Sequence, residues 1–152
     1  MTTTPKNRRN LALIPVLATL LSLLAAAVAH QSVVVGEGAY RVTVGLLNAP
    51  YYVGQIESLD LIIRDSGDQL IEGLEGSLIA EIIAPNGAKL SLSVWPQSGK
   101  PGYYTADFIP TVAGNYRIRV IGFIGEVSFD ETFEHYAHAD PIIQDPAAIR
   151  VP

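Results

Sequence analysis

The chain has no cysteine. That excludes disulfide bridges, thiolate metal centres and cysteine nucleophiles. Its one methionine is Met1, so a soft-metal site has no usable sulfur to be built from. Basic side chains are scarce past the start: residues 30–152 hold 7 Lys and Arg against 15 Asp and Glu, a net charge of −8. An acidic domain without a basic cluster is a poor match to nucleic acid, and no nucleic-acid partner is expected. Past residue 30 no stretch has a helical period and no glycine-rich phosphate loop joins a strand to a helix. No Ser–His–Asp arrangement is supported by spacing. The expectation is a protein that is not an enzyme.

What is present begins with a leader. MTTTPKNRRN carries Lys6, Arg8 and Arg9 and no acid, and LALIPVLATLLSLLAAAVA follows without a charge. A basic start, an apolar middle and an Ala27-x-Ala29 end make a secretory signal peptide, cut before His30. The apolar run, Leu11 to Ala29, is 19 residues, which is also long enough to span a bilayer as a helix. Both readings stand, a cleaved signal or a retained anchor. Both put the remainder outside the cytoplasm, because the positive flank stays inside. The expected location is periplasmic or cell-surface, with the chain anchored in the cytoplasmic membrane if the segment is kept.

From residue 31 onward the pattern is β. AYRVTVGLL alternates Tyr40, Val42, Val44 and Leu46 against Arg41, Thr43 and Gly45. SLDLIIRD puts Leu59, Leu61 and Ile63 on one face, and SLIAEIIA is more uniformly apolar. KLSLSVW, YYTADFI and NYRIRVIG alternate in the same way, and EVSFDETF faces Val127, Phe129 and Phe133 inward with Glu131 as the exception. Period two means one dry and one wet face. Pro85-Asn86-Gly87 reads as a hairpin, Ser66-Gly67-Asp68 and Gly99 to Gly102 as loops, and Gly122 to Gly125 as a tight hairpin. Seven or eight short strands so punctuated predict an all-β, antiparallel β-sandwich of the immunoglobulin-like kind over residues 30–135, preceded by the N-terminal hydrophobic helix. Tyr116, past a Gly-Asn corner, is placed to bond its hydroxyl back to the backbone. Residues 136–152 break the pattern with three prolines and read as a tail, extended, disordered or laid against something.

GYYTADFIPTVAGNYRIRV resembles the second half of filamin-type and bacterial immunoglobulin-like domains, which read G-x-Y-x-x-x-F-x-P-T-x-x-G-x-Y. With VGLLNAPYYVGQIESLDLIIRDSGDQLIEGL before it and GFIGEVSFDETF after it, the layout resembles the bacterial exported YtkA-like and copper-resistance-C-like domains from Tyr40 to Phe133. In the latter family the mature protein starts with histidine, whose amine and imidazole bind Cu(II) with a second histidine and a carboxylate nearby. The resemblance implies that role for His30 if the Ala29–His30 bond is cut. His135 and His138 match as second ligands by residue type alone. Methionine-rich Cu(I) sites of that family have no counterpart here.

The histidines are three, His30, His135 and His138. An N-terminal histidine chelates through its α-amine and ring, and nitrogen with carboxylate donors suits tetragonal Cu(II). His135-x-x-His138-x-Asp140 would complete the set if the chain ends meet, so the candidate metal ligands are His30, His135, His138 and Asp140. The competing reading is three solvated histidines on a membrane-anchored structural or accessory subunit docked on a larger membrane assembly. Asp65-x-x-Asp68 lacks calcium-loop spacing and reads as a turn. Tyr51-Tyr52, Tyr103-Tyr104 and Trp95 read either as an aromatic binding face or as pairs split by the strand period between core and surface.

Overall fold

The structure, a computed structural model, describes residues 30–134 and 143–151. It is all-β, and no α-helix occurs among the described residues; the hydrophobic helix expected before residue 30 lies outside them. One sheet orders β1 (Gln31–Val35), β2 (Tyr40–Leu46), β4 (Glu57–Asp65), β8 (Tyr103–Thr105) and β7 (Trp95–Pro96), with β9 (Asp107–Phe108) continuing along β4. The other orders β11 (Val127–Glu134), β10 (Arg117–Ile124), β5 (Leu78–Ile83) and β6 (Lys89–Ser93). All these pairings are antiparallel. The two sheets enclose one core, and the architecture is immunoglobulin-like.

The core is the set of inward positions that the alternation marks. Val42, Val44 and Leu46 meet Leu59, Leu61 and Ile63, and Tyr104, Ala106, Phe108, Tyr116, Ile118 and Val120 are likewise buried. Both tyrosine pairs split: Tyr51 and Tyr104 are buried, while Tyr52 and Tyr103 are half-buried. Two buried hydroxyls tie loops to the core. Tyr116 Oη accepts from Val112 N at 3.2 Å, the expected corner. Tyr104 Oη accepts from Leu74 N at 3.1 Å and donates to Ile71 O at 2.8 Å.

Two stretches depart from the simple alternation. KLSLSVW does not stay in one sheet: β6 pairs with β5, and after Val94 the chain crosses to pair as β7 with β8. Leu90, on an edge strand, is left 48% exposed. The hairpin expected at Gly122 to Gly125 turns instead at Gly125-Glu126, because Ile124 pairs with Val127. Gly122 sits inside β10, where an added Cβ would stand 2.0 Å from Ser77 O. Its role is close approach of a neighbouring backbone.

The C-terminal stretch folds back. Ile143–Gln144 (β12) pairs in parallel with Tyr51–Tyr52 (β3), and Ile143 is fully buried. Asp145 then caps a 3-10 turn over Pro146–Ile149 by accepting from Ala147 N. This strap lies at the same end of the sandwich as His30, Glu57 and Phe108. The connections there, 47–56, 84–88 and 109–116, carry no charged side chain.

Candidate functional site

His30 precedes β1 by one residue, and the strand register determines what it meets. Gln31 pairs with Val44, so His30 stands opposite Gly45. Gly45 pairs with Asp60. Leu61 pairs with Tyr104 and Leu59 N bonds Ala106 O at 2.9 Å, which sets Asp60 opposite Thr105. Thr105 pairs with Trp95. One cross-strand row on the outer face therefore reads His30, Gly45, Asp60, Thr105, Trp95.

Neighbouring strands lie about 4.8 Å apart, so β2 stands between His30 and Asp60. The missing side chain at Gly45 removes the obstacle. A Cβ there would stand 2.5 Å from His30 Cδ2 and 2.7 Å from Nε2. The imidazole lies over the glycine and reaches Asp60, with Nε2 to Oδ2 at 2.8 Å. From the other side Gln97 Nε2 donates to Asp60 Oδ1 at 2.7 Å and approaches Tyr104 O at 3.2 Å. Asp60 is thus 7% exposed although it points away from the core. Its charge is hydrogen-bonded on both oxygens, the condition for burying a carboxylate at tolerable cost.

The donor inventory assigns the ring. An ionised carboxylate only accepts, so the nitrogen facing Asp60 carries a proton. In the neutral imidazole Nδ1 is then the lone-pair nitrogen. Among the described residues, buried Nδ1 has no hydrogen-bond partner, and Thr105 Oγ1, on the other side of Asp60 in the row, is in the same condition. A carboxylate on one ring nitrogen fixes the tautomer and orientation of an imidazole, as it does in metal-ligating histidines.

His135, His138 and Asp140 lie outside the described residues, so His30 alone represents the expected ligand set there. Among the described residues no group of three or more His, Asp or Glu gathers in one place. One contact bears on the ends of the chain: Gln31 Nε2 donates to the carbonyl oxygen of Glu134. The residue after His30 therefore touches the residue before His135.

A second buried acid lies nearby. Glu57 is 1% exposed, and its Oε2 has no partner among the described residues. Burial pushes its carboxyl up, opposed in part by a hydrogen bond with the Tyr52 backbone. Burial, then the Glu57 charge, raises the Tyr51 hydroxyl, which donates to Leu46 O at 2.9 Å. The Asp65 loop is a turn: Asp65 Oδ1 accepts from Gly67 N and Gln69 N, and Asp68 faces Arg41 and Arg64.

Asp60, Gln97, Thr105 and Gly45 were not singled out by sequence reasoning. Gly45 did carry a signal, because an isolated glycine inside an alternating strand marks close approach. Nothing local marks Gln97, which reaches Asp60 from 37 residues away.

No family model matches the chain. No curated protein matches it either. Among solved structures, a DUF4785 family protein from Legionella pneumophila is similar over 63% of this chain, at 11% identity and a TM-score of 0.45. This chain spans 27% of that protein's length. The Lin-41 filamin domain is similar over 70% of this chain and 90% of its own, at 13% identity and a TM-score of 0.42.

Proposed function

We propose that this chain is an exported, non-enzymatic binding domain of the copper-resistance-C-like kind that takes Cu(II) at the His30 end of the sandwich. The observation that carries the reading is the state of the His30 ring: Nε2 is held by Asp60 while buried Nδ1 has no partner among the described residues. Cleavage after Ala29 would free an α-amine on the same residue, and that amine and Nδ1 would hold the ion together. His135 or His138, with Asp140, would supply the remaining donors, and the Gln31–Glu134 contact favours their return to this end. Nitrogen and carboxylate donors without sulfur suit Cu(II). The test is the intact mass of the protein from its native host, followed by copper titration read by visible absorption. Stoichiometric Cu(II) binding, lost in His30→Ala, is expected. Equal binding by that variant would remove the reading.

A second reading is favoured by a separate observation. The connections around the exit of the N-terminal segment carry no charge, and Leu47, Ile56 and Ile109 among them are 40%, 62% and 54% exposed. That surface suits a sandwich held against a bilayer by a retained segment and docked on a membrane assembly. A mass that includes residues 1–29 selects this reading, since the amine needed for copper would then be in a peptide bond.

A further inference from the structure

We infer that Asp60 and Gln97, acting across the gap at Gly45, are positioning residues that fix the His30 ring so that Nδ1 is the nitrogen presented. Nδ1 is close enough to its own backbone amine to close a chelate ring with it; Nε2 points away and is not. A histidine free in solvent offers either nitrogen and turns about both side-chain bonds. Here the Asp60 carboxylate accepts a hydrogen bond from Nε2–H, Gln97 holds the other carboxylate oxygen, and the floor of the site is a glycine that any side chain would fill. The row therefore selects both the nitrogen and the ring orientation before any ligand arrives. The consequence for metal affinity rests on the copper reading; the positioning does not.

Gly45→Ala is the sharpest probe, because it leaves every donor and acceptor in place. Gly45 lies within β2, pairs with Asp60 and is not among the positive-φ residues, so alanine suits its backbone. Its Cβ would displace the ring from Asp60. Asp60→Asn is the second probe, since it removes the charge and keeps the size. In the metal-free protein as recovered from its host, proton NMR should show a downfield, slowly exchanging His30 Nε2–H resonance. Both variants should lose it while remaining folded by backbone spectra. A wild-type protein without that resonance, or a Gly45→Ala protein that keeps it, overturns the proposal. Where Cu(II) binds the wild type, both variants should bind it roughly 10- to 100-fold more weakly, the usual cost of losing a residue that orients a ligand. An affinity unchanged beside a lost resonance would break the link from positioning to ligand. A resonance lost as expected, with no copper bound by any form, supports the positioning and removes the copper reading alone.

Discussion

At one end of the sandwich the acids of the connections are wet; at the other, two strand acids, Asp60 and Glu57, are buried, and Asp60 depends on distant partners. The connections 36–39, 66–77, 97–102 and 125–126 hold Glu37, Asp68, Glu72, Glu75 and Glu126 against Lys100. Asp68 faces exposed Arg41 and half-buried Arg64, four residues before it. At the His30 end the connections are uncharged, and the acids that matter sit inside strands. Asp60 is clamped by residues 30 and 37 positions away, and Glu57 is buried with one oxygen unpaired. A solvated acid adds solubility and little else. A buried one must be paired or cost stability, so the second end is where the fold has accepted a cost.

Each end is also pinned by one apolar residue from a long excursion, which gives the largest expected effect. Ile143, fully buried, holds the C-terminal strap at the His30 end; Leu74, 7% exposed, holds the acidic loop at the other. Truncating a buried aliphatic side chain to alanine costs about 2–5 kcal/mol. Ile143→Ala should fall in the upper half of that range and Leu74→Ala in the lower, read as urea midpoints. If Ile143→Ala were silent, the strap would not belong to the folded unit, and the His30 end would be more open than described.

How much of this was legible follows from range. The inward sets Val42-Val44-Leu46 and Leu59-Leu61-Ile63 need only period two, and the Tyr116 corner needs only its own turn. The crossing at Val94 was hidden because alternation continues unbroken while the strand changes partner sheet. Gly122 looked like a turn because its real neighbour, Ser77 O, is far away in sequence. The site divides in the same way. His30 stood out by its place after Ala29, whereas Asp60 and Gln97 are ordinary surface residues until the register stacks their strands.

Glu57 gives an intermediate effect with a defined sign. Its carboxyl is raised by burial above its ordinary value near 4.5. The folded state therefore holds that proton to a higher pH than the unfolded chain does. Its contribution is fully present below about pH 4.5 and is lost as pH rises through the folded value. Glu57→Gln should raise stability at neutral pH by about 1 kcal/mol, because the neutral amide leaves no charge to be desolvated. It should give no gain at pH 4, with the crossover seen in thermal midpoints against pH. A constant difference across that range would mean that Glu57 is solvated and that the contrast between the ends is overstated.

The smallest effect on stability bears most on the partner. Exposed Ile56, in an uncharged connection at the His30 end, and Glu72 at the acidic end can each be replaced by cysteine within roughly 0.5 kcal/mol, and the chain has no other cysteine to compete for a label. A polarity-sensitive dye on Ile56→Cys or Glu72→Cys, in the full chain with phospholipid vesicles, compares the two ends directly. If the N-terminal segment is kept and the sandwich rests on the bilayer, the dye at 56 shifts to shorter wavelength and the dye at 72 does not. Equal spectra at both positions would leave the apolar surface around Leu47, Ile56 and Ile109 facing water. The distinguishing property of that end would then be its buried polar row alone, which is what the copper reading requires.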